Sequence, residues 1–217
     1  MKNKKSKIIL ILILTVISVL FIAPIVIVFM NSFKSKLFIN STPFAFPNAD
    51  SFVGLANYGE GMIKTGFLQA FFITLFITVA SVFLIVVLTS MTAWYLIRVK
   101  SRFTKVMYYL FAFAMIVPFQ MEMFTLSKIA NMLHMGNPWG LVLIYLGFGA
   151  GLSVFMFTGF MKSIPLEIEE AAMIDGCTPI QTFFKVVLPI AKPTCVTVTI
   201  LQAMWIWNDY LLPSLVL

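Results

Sequence analysis

The sequence predicts an all-α, polytopic transmembrane protein, and three observations carry that prediction. Hydrophobic residues make up 61% of the 217 residues and charged residues 11%, with a mean hydropathy of +1.01. A soluble domain is about half apolar and about a quarter charged, so a fold of this size could not hide that much apolar surface from water. The apolar residues also gather in runs close to or above the ~20 residues that a helix needs to cross a ~30 Å hydrocarbon core. Finally, Lys and Arg cluster in the short segments between those runs. Disorder is excluded, because it needs low hydrophobicity and high charge. With two cysteines, a disulfide scaffold is excluded as well. A net charge of +7 distributed this way reports topology rather than a nucleic-acid partner.

The first run, residues 8–30, is 23 residues without a charge and follows Lys2, Lys4, Lys5 and Lys7. It exceeds the ~7–15-residue core of a signal peptide and no A-x-A-like site follows, so a retained span is predicted. Residues 31–66 contain Pro43, Pro47, Gly54, Gly59 and Gly61 among Asn, Ser and Asp, the chemistry of an extramembrane loop. A short surface helix within it cannot be placed from the sequence. Residues 67–97 form the second span, which at ~1.5 Å per residue outruns the bilayer and must tilt or project. Arg98, Lys100, Arg102 and Lys105 end it. The third span is residues 106–126, interrupted by Pro118, and the fourth is residues 138–160, opened by Pro138 and Trp139. A polar, partly amphipathic loop at 161–193 precedes a fifth span at 194–217. All of 1–217 is read as one transmembrane domain.

With the N-terminus inside, 11 Lys and Arg fall in inner segments and 4 in outer ones, Lys34, Lys36, Lys64 and Lys128. The positive-inside rule therefore predicts a cytoplasmic N-terminus and a cytoplasmic 161–193 loop. Cys177 then faces a reducing compartment with Cys195 near the membrane boundary, and both are expected to be free thiols.

The 161–193 loop reads as two short helices. Ser163 and Pro165 give a start, with Glu167, Glu169 and Glu170 in the first turns, where carboxylates complement the helix dipole. Gly176 gives the stop, since glycine enters the left-handed cap conformation at low cost. Thr178, Pro179 and Gln181 then provide a cap, a first helical residue and a capping box. Ile180, Phe183, Phe184, Val187 and Leu188 follow at i, i+3, i+4, i+7 and i+8, one apolar stripe that Pro189 ends. Burying a Phe contributes about 1.5–3 kcal/mol, so the stripe is expected to be covered. Periodicity alone leaves two coverings open, the inner ends of the chain's own helices or a groove on a partner.

Glu170-Ala171-Ala172, three residues, Gly176, nine residues, then Val186-x-Leu188-Pro189 resembles the EAA motif, E-A-A-x3-G-x9-I-x-L-P, of ABC-importer permease subunits. Val186 in place of Ile is the one departure. Flanking residues 164–179, together with Phe46-Pro47, Asn57-Tyr58, Val117-Pro118-Phe119-Gln120 and Trp207-Asn208-Asp209-Tyr210, are similar to the carbohydrate-uptake branch, and most similar to the second permease subunit of oligosaccharide importers. The resemblance implies the ABC type I importer permease fold, with six spans. Five are visible and the sequence stops at Leu217 in apolar residues, so a C-terminal truncation is expected.

The resemblance also implies a function. The chain would form the translocation pathway for a sugar or oligosaccharide in a bacterial plasma membrane. Its partners would be a homologous permease subunit, a cytoplasmic ABC ATPase dimer and an extracytoplasmic solute-binding protein. The EAA loop would dock on the ATPase, with Glu170 pairing a basic group, Ala171 and Ala172 allowing close approach, and Asp175 and Gly176 at the bend. Phe183, Phe184, Val187, Leu188 and Pro189 would anchor the second helix there. Glu167 and Glu169 read as a solvated helix face. No Walker A sequence occurs, so ATP hydrolysis is expected on a partner, and no cofactor or metal is implied. Alternatives are a nonfunctional permease fragment and a permease for another solute class.

Polar groups inside a membrane point to a pathway. Gln120 and Glu122 follow Pro118, and Asn208 and Asp209 lie late in the fifth span beside Trp205 and Trp207. The latter group reads equally as a sugar-binding cluster or as an aromatic belt at the outer interface. Gly147 and Gly151 form a G-x-x-x-G pair that predicts close helix packing. His134 is expected at the surface. A membrane-embedded enzyme finds no H-E-x-x-H and no G-x-S-x-G here, and an ion channel finds no filter-like run.

Overall fold

The computed structural model describes residues 4–217; Lys2, used in the topology count, lies outside them. Among the described residues the secondary structure is helical, apart from one isolated antiparallel bridge between Lys34 and Phe52. The chain divides into two compact units, Met1–Ala70 and Phe71–Leu217.

In the first unit, α1 (Lys4–Asn31) is apolar all round and exposed from Ser6 to Ile22. A helix with no polar face requires a lipid or protein surround. The following loop does contain short helices, α2 (Lys36–Ser41) and α3 (Ala56–Lys64). Asn57 ties the loop to the end of α1 by donating from Nδ2 to the carbonyls of Ser32 (2.8 Å) and Lys34 (2.7 Å). Tyr58 hydrogen-bonds Ser32 Oγ at 2.6 Å and packs its ring on Phe33. Lys34 is fully buried, with Nζ donating to the Thr42 carbonyl at 2.9 Å.

α4 (Phe67–Arg98), all but its first turn in the second unit, and α7 (Pro138–Met161) are long and apolar enough to cross a membrane, as is α1 in the first unit. α7 is the central element. Asn137 caps it by accepting the Gly140 amide, Pro138 occupies its first turn, and Leu141, Val142, Tyr145, Val154, Phe157 and Met161 are buried along it. α5 (Arg102–Ala114) packs along α7. Gly151 permits the approach, because a Cβ there would lie 3.0 Å from the Phe111 carbonyl. Gly149 faces Ile85 of α4 and Gln202, with a virtual Cβ only 2.6 Å from Ile85 Cδ1, whereas Gly147 meets nothing within 4 Å. The close approaches therefore fall at Gly149 and Gly151, not at the Gly147–Gly151 pair the spacing predicts.

Two expected spans are broken. The third is two helices, α5 and α6 (Phe119–Met132), bent by 105° across the intervening residues. Proline has no N–H and disfavours helical geometry in the residue before it, so Pro118 starts a new helix instead of kinking one. The fifth begins earlier than expected, as α11 (Lys192–Asn208) with Pro193 in its first turn, and stops at Asp209 before α12 (Leu211–Val216). Asp209 Oδ1 accepts the amides of Leu211 (3.0 Å) and Leu212 (3.4 Å), a local bond that competes with the helix ladder.

Candidate functional site

After α7 the chain makes a short α8 (Leu166–Ile174), a bend, then α9 (Pro179–Thr182), a π-helical turn over Phe183–Val187 and α10 (Leu188–Ile190). The start and stop signals read from the sequence are in use. Gly176 closes α8 with φ +91°, and its amide bonds the Met173 carbonyl at 3.0 Å. Thr178 and Gln181 form a reciprocal capping box. The π turn has a local cause. Pro189 cannot donate to the carbonyl four residues back and its ring crowds that carbonyl, and the wider turn just before it relieves the clash. There the Leu188 amide reaches back five residues to Phe183. The helix finally turns at Ala191, with α9–α10 and α11 bent by 77°.

The loop has two sides. The inner side is locked to α4. Glu169 is buried, correcting its reading as a solvated face. Its Oε1 accepts from Arg98 Nη2 (2.6 Å) and Nε (3.0 Å), and its Oε2 accepts from Trp94 Nε1 (2.9 Å). Arg98 Nη2 also donates to the Ile164 carbonyl at 2.9 Å, where the chain enters α8. Phe183 and Val187 are fully buried in the core of the chain, with the Phe183 ring 5.5 Å from Trp94. The role implied for them at an ATPase surface is corrected accordingly. The row 183, 187, 191 faces inward at four-residue spacing, so these two side chains hold the loop to the membrane helices.

The outer side is a different set. Neighbouring helix positions point ~100° apart, so with Glu169 inward Glu170 turns out. Glu170, Ala171, Asp175, Gly176 and Pro189 are exposed, while Ala172 and Leu188 are half-buried. Phe184 remains 43% exposed and Ile180 65%, so the expected stripe is split between the two sides. Among the described residues no cluster of His, Cys, Asp and Glu could hold a metal.

The pathway candidates are not gathered in one cavity. Glu122, in the first turn of α6, lines a cavity of about 310 Å³ with Leu126, Leu143 and Gly147. Trp205 lines another of about 350 Å³ with Phe119, Phe148 and Gln202. Asp209 lines a third of about 390 Å³ with Thr78, Tyr145 and Tyr210. Gln120 is exposed, and Asn208 donates to the Met204 carbonyl of its own helix at 2.7 Å.

Sequence reading missed two residues. Tyr145 is buried on α7, donates to Asp209 Oδ2 at 3.0 Å and meets the Trp205 ring edge-on at 5.5 Å. Gln202 is buried on α11 and donates from Nε2 to Ser153 Oγ (3.0 Å) and the Gly149 carbonyl (3.2 Å), while its Oε1 has no partner. An amide in the middle of an apolar span, between Leu201 and Ala203, was the available signal for Gln202. Tyr145 had none, since only the fold brings it to Asp209.

Comparison with known proteins matches this arrangement. Residues 85–217 fit the family model described as the inner membrane component of binding-protein-dependent transport systems. The probable starch degradation products transport system permease protein AmyC of Thermoanaerobacterium thermosulfurigenes is 42% identical over 202 residues, 93% of this chain and 73% of that protein. The multiple sugar-binding transport system permease protein MsmG of Streptococcus mutans is 34% identical over 207 residues, 94% of this chain and 73% of that protein. The crystal structure of a bacterial ABC transporter involved in importing the acidic polysaccharide alginate superposes with a TM-score of 0.84. That match covers 100% of this chain and 77% of the other at 23% identity, and it shows a shared fold. The family model and the two permeases together place the chain: it belongs to the family of inner-membrane components of binding-protein-dependent transport systems, as a multi-pass permease subunit and not an enzyme.

Proposed function

We propose that this permease subunit carries a sugar or oligosaccharide and is driven by a separate cytoplasmic ATPase that docks on the outer side of the 161–193 loop. The observation that carries the reading is the two-sided construction of that loop. The Arg98–Glu169–Trp94 network and buried Phe183 make it a stiff extension of α4, while Glu170, Asp175, Ile180 and Phe184 remain exposed. A displacement of the outer face is then carried to the membrane helices rather than absorbed by a flexible link. ATP-driven closure of the ATPase pair moves the loop, and the helices switch between inward-open and outward-open arrangements. Glu170 pairs with a basic group on the ATPase, which fixes register more reliably than it adds affinity.

The sugar assignment is supported by the two relatives, whose names specify starch degradation products and multiple sugars. In this reading the chain is one transmembrane domain. Its N-terminus and 161–193 loop face the cytoplasm, and a homologous permease forms the other half of the pathway. Asp209 with Tyr145 and Trp205, and Glu122 on α6, are the residues assigned to the route.

Reconstitution of the chain with its partner permease, ATPase and binding protein in proteoliposomes tests the reading. ATP-dependent uptake of a labelled maltooligosaccharide, and not of an amino acid or a peptide, is the expected result. Uptake of the other solutes without the sugar would overturn the substrate class.

A further inference from the structure

A second site lies where α4 ends, α5 begins and α7 ends. Lys100, Arg102, Lys105 and Lys162 line a concavity of about 510 Å³ there, with Tyr108 among its walls and no Asp or Glu in its lining. The ion pairs among the described residues are Lys64–Glu60 and Arg98–Glu169, so none of these four cations is neutralised by a carboxylate. Lys162 Nζ lies 5.6 Å from the centroid of the Tyr108 ring, which holds it over the concavity's wall. The N-terminal end of α5 adds the positive end of its helix dipole.

A second observation is independent of this charge. Along α5, Phe103, Val106, Leu110 and Phe113 are each more than half exposed. Their spacing of three to four residues puts them on one face of the helix, running away from the basic end. None of these four lines the concavity, and they lie on the side of α5 away from Thr104 and Tyr108, so they mark α5 as a helix in contact with lipid tails and put the cationic concavity at the edge of the bilayer. Basic pockets between membrane helices on the cytoplasmic side are suited to phosphate-bearing lipid heads.

We propose that this concavity binds the phosphate headgroup of an anionic phospholipid of the adjoining leaflet. The proposal rests on the membrane placement of these helices and not on the identity of the transported solute. Because Lys162 immediately follows α7 and precedes α8, the bound lipid sits at the root of the 161–193 loop.

Native mass spectrometry of the purified full chain tests it, with phosphatidylglycerol or phosphatidylcholine of identical acyl chains added to the detergent. One saturable phosphatidylglycerol per chain is expected, with no matching phosphatidylcholine adduct. The Arg102→Gln/Lys105→Gln/Lys162→Gln variant is expected to lose affinity by on the order of a hundredfold, at about fivefold per cation. Lys185→Gln/Lys192→Gln, which removes cations outside the concavity, is expected to bind as the wild type does. If the triple variant is not monodisperse, Lys105→Gln alone gives the same reading at about fivefold. Equal retention of the two lipids, an unaffected triple variant, or equal loss in the control variant would each overturn the site. Displacement of the lipid by millimolar inorganic phosphate would assign the concavity to a soluble phosphate compound and overturn the lipid.

Discussion

Arg98 and Glu169 meet at 2.6 Å, with 3% of the Glu169 side chain exposed, and join the end of α4 to α8 across 71 positions of sequence. Desolvating two charges is costly, and their attraction repays the cost only where the geometry is good and the remaining polar atoms are satisfied. Both Glu169 oxygens are satisfied here, one by Arg98 and the other by the Trp94 indole.

Removing one partner strands a buried charge. Arg98→Met is expected to destabilise the folded chain by about 3–5 kcal/mol, and Arg98→Met/Glu169→Met to recover most of that loss. Thermal unfolding in detergent, followed by the loss of monodisperse protein, measures both. A double variant as unstable as the single one would mean that the contacts of Glu169 are not the source of the cost.

Phe183 and Phe184 are adjacent but divided between the two sides of the loop. Phe183→Ala is expected to cost about 3–5 kcal/mol, since it empties a fully buried site. Phe184→Ala, at a 43% exposed position, is expected to change stability by less than about 1 kcal/mol while weakening ATPase association. Unfolding and co-purification, run on the same preparations, separate the effects.

Gly140 and Gly147 make a matched pair on α7. A Cβ on Gly140 would lie 2.0 Å from the Met135 carbonyl oxygen, a backbone atom that cannot step aside, whereas Gly147 has open space around it. Gly140→Ala is expected to cut the yield of folded protein sharply. Gly147→Ala is expected to stay within about 0.5 kcal/mol of wild type. Fluorescence-detected size-exclusion of the two variants is sufficient to read the difference.

Tyr145 supplies one of the hydrogen bonds to Asp209. Tyr145→Phe leaves Oδ2 without that donor while Oδ1 still accepts the α12 amides, at an expected cost of about 1.5–3 kcal/mol for a bond to a charged group. If Asp209 belongs to the sugar route, Tyr145→Phe also slows uptake in proteoliposomes more than it slows basal ATP hydrolysis. Equal effects on the two rates would remove Asp209 from the route.

Much of this architecture was legible because it is written in local chemistry. Charge-free runs mark α1, α4 and α7, and Gly176, Thr178 and Gln181 mark the bend of the loop. Local signals failed where two of them competed. Pro118 within an apolar run reads as a kink, yet it starts a helix at 105° to the preceding one. Asp209 reads as a polar residue in a span, yet its carboxylate ends the helix by capping the next. The two sides of the loop were illegible for another reason. Glu169 and Glu170 are chemically identical neighbours, and only the position of Arg98 and Trp94 on a distant helix decides which one is buried. Phe183 and Phe184 are likewise adjacent and point about 100° apart, and only the chain's own core decides that Phe183 is the one covered.

The central claim is that the outer side of the loop holds the ATPase while the inner side holds the loop. Co-purification of the transporter's ATPase subunit with Glu170→Lys/Phe184→Ala, beside its unfolding temperature, tests this most directly. The account expects a variant as stable as the wild type that no longer retains the ATPase. A variant that retains the ATPase and its sugar-stimulated activity at wild-type levels would contradict it.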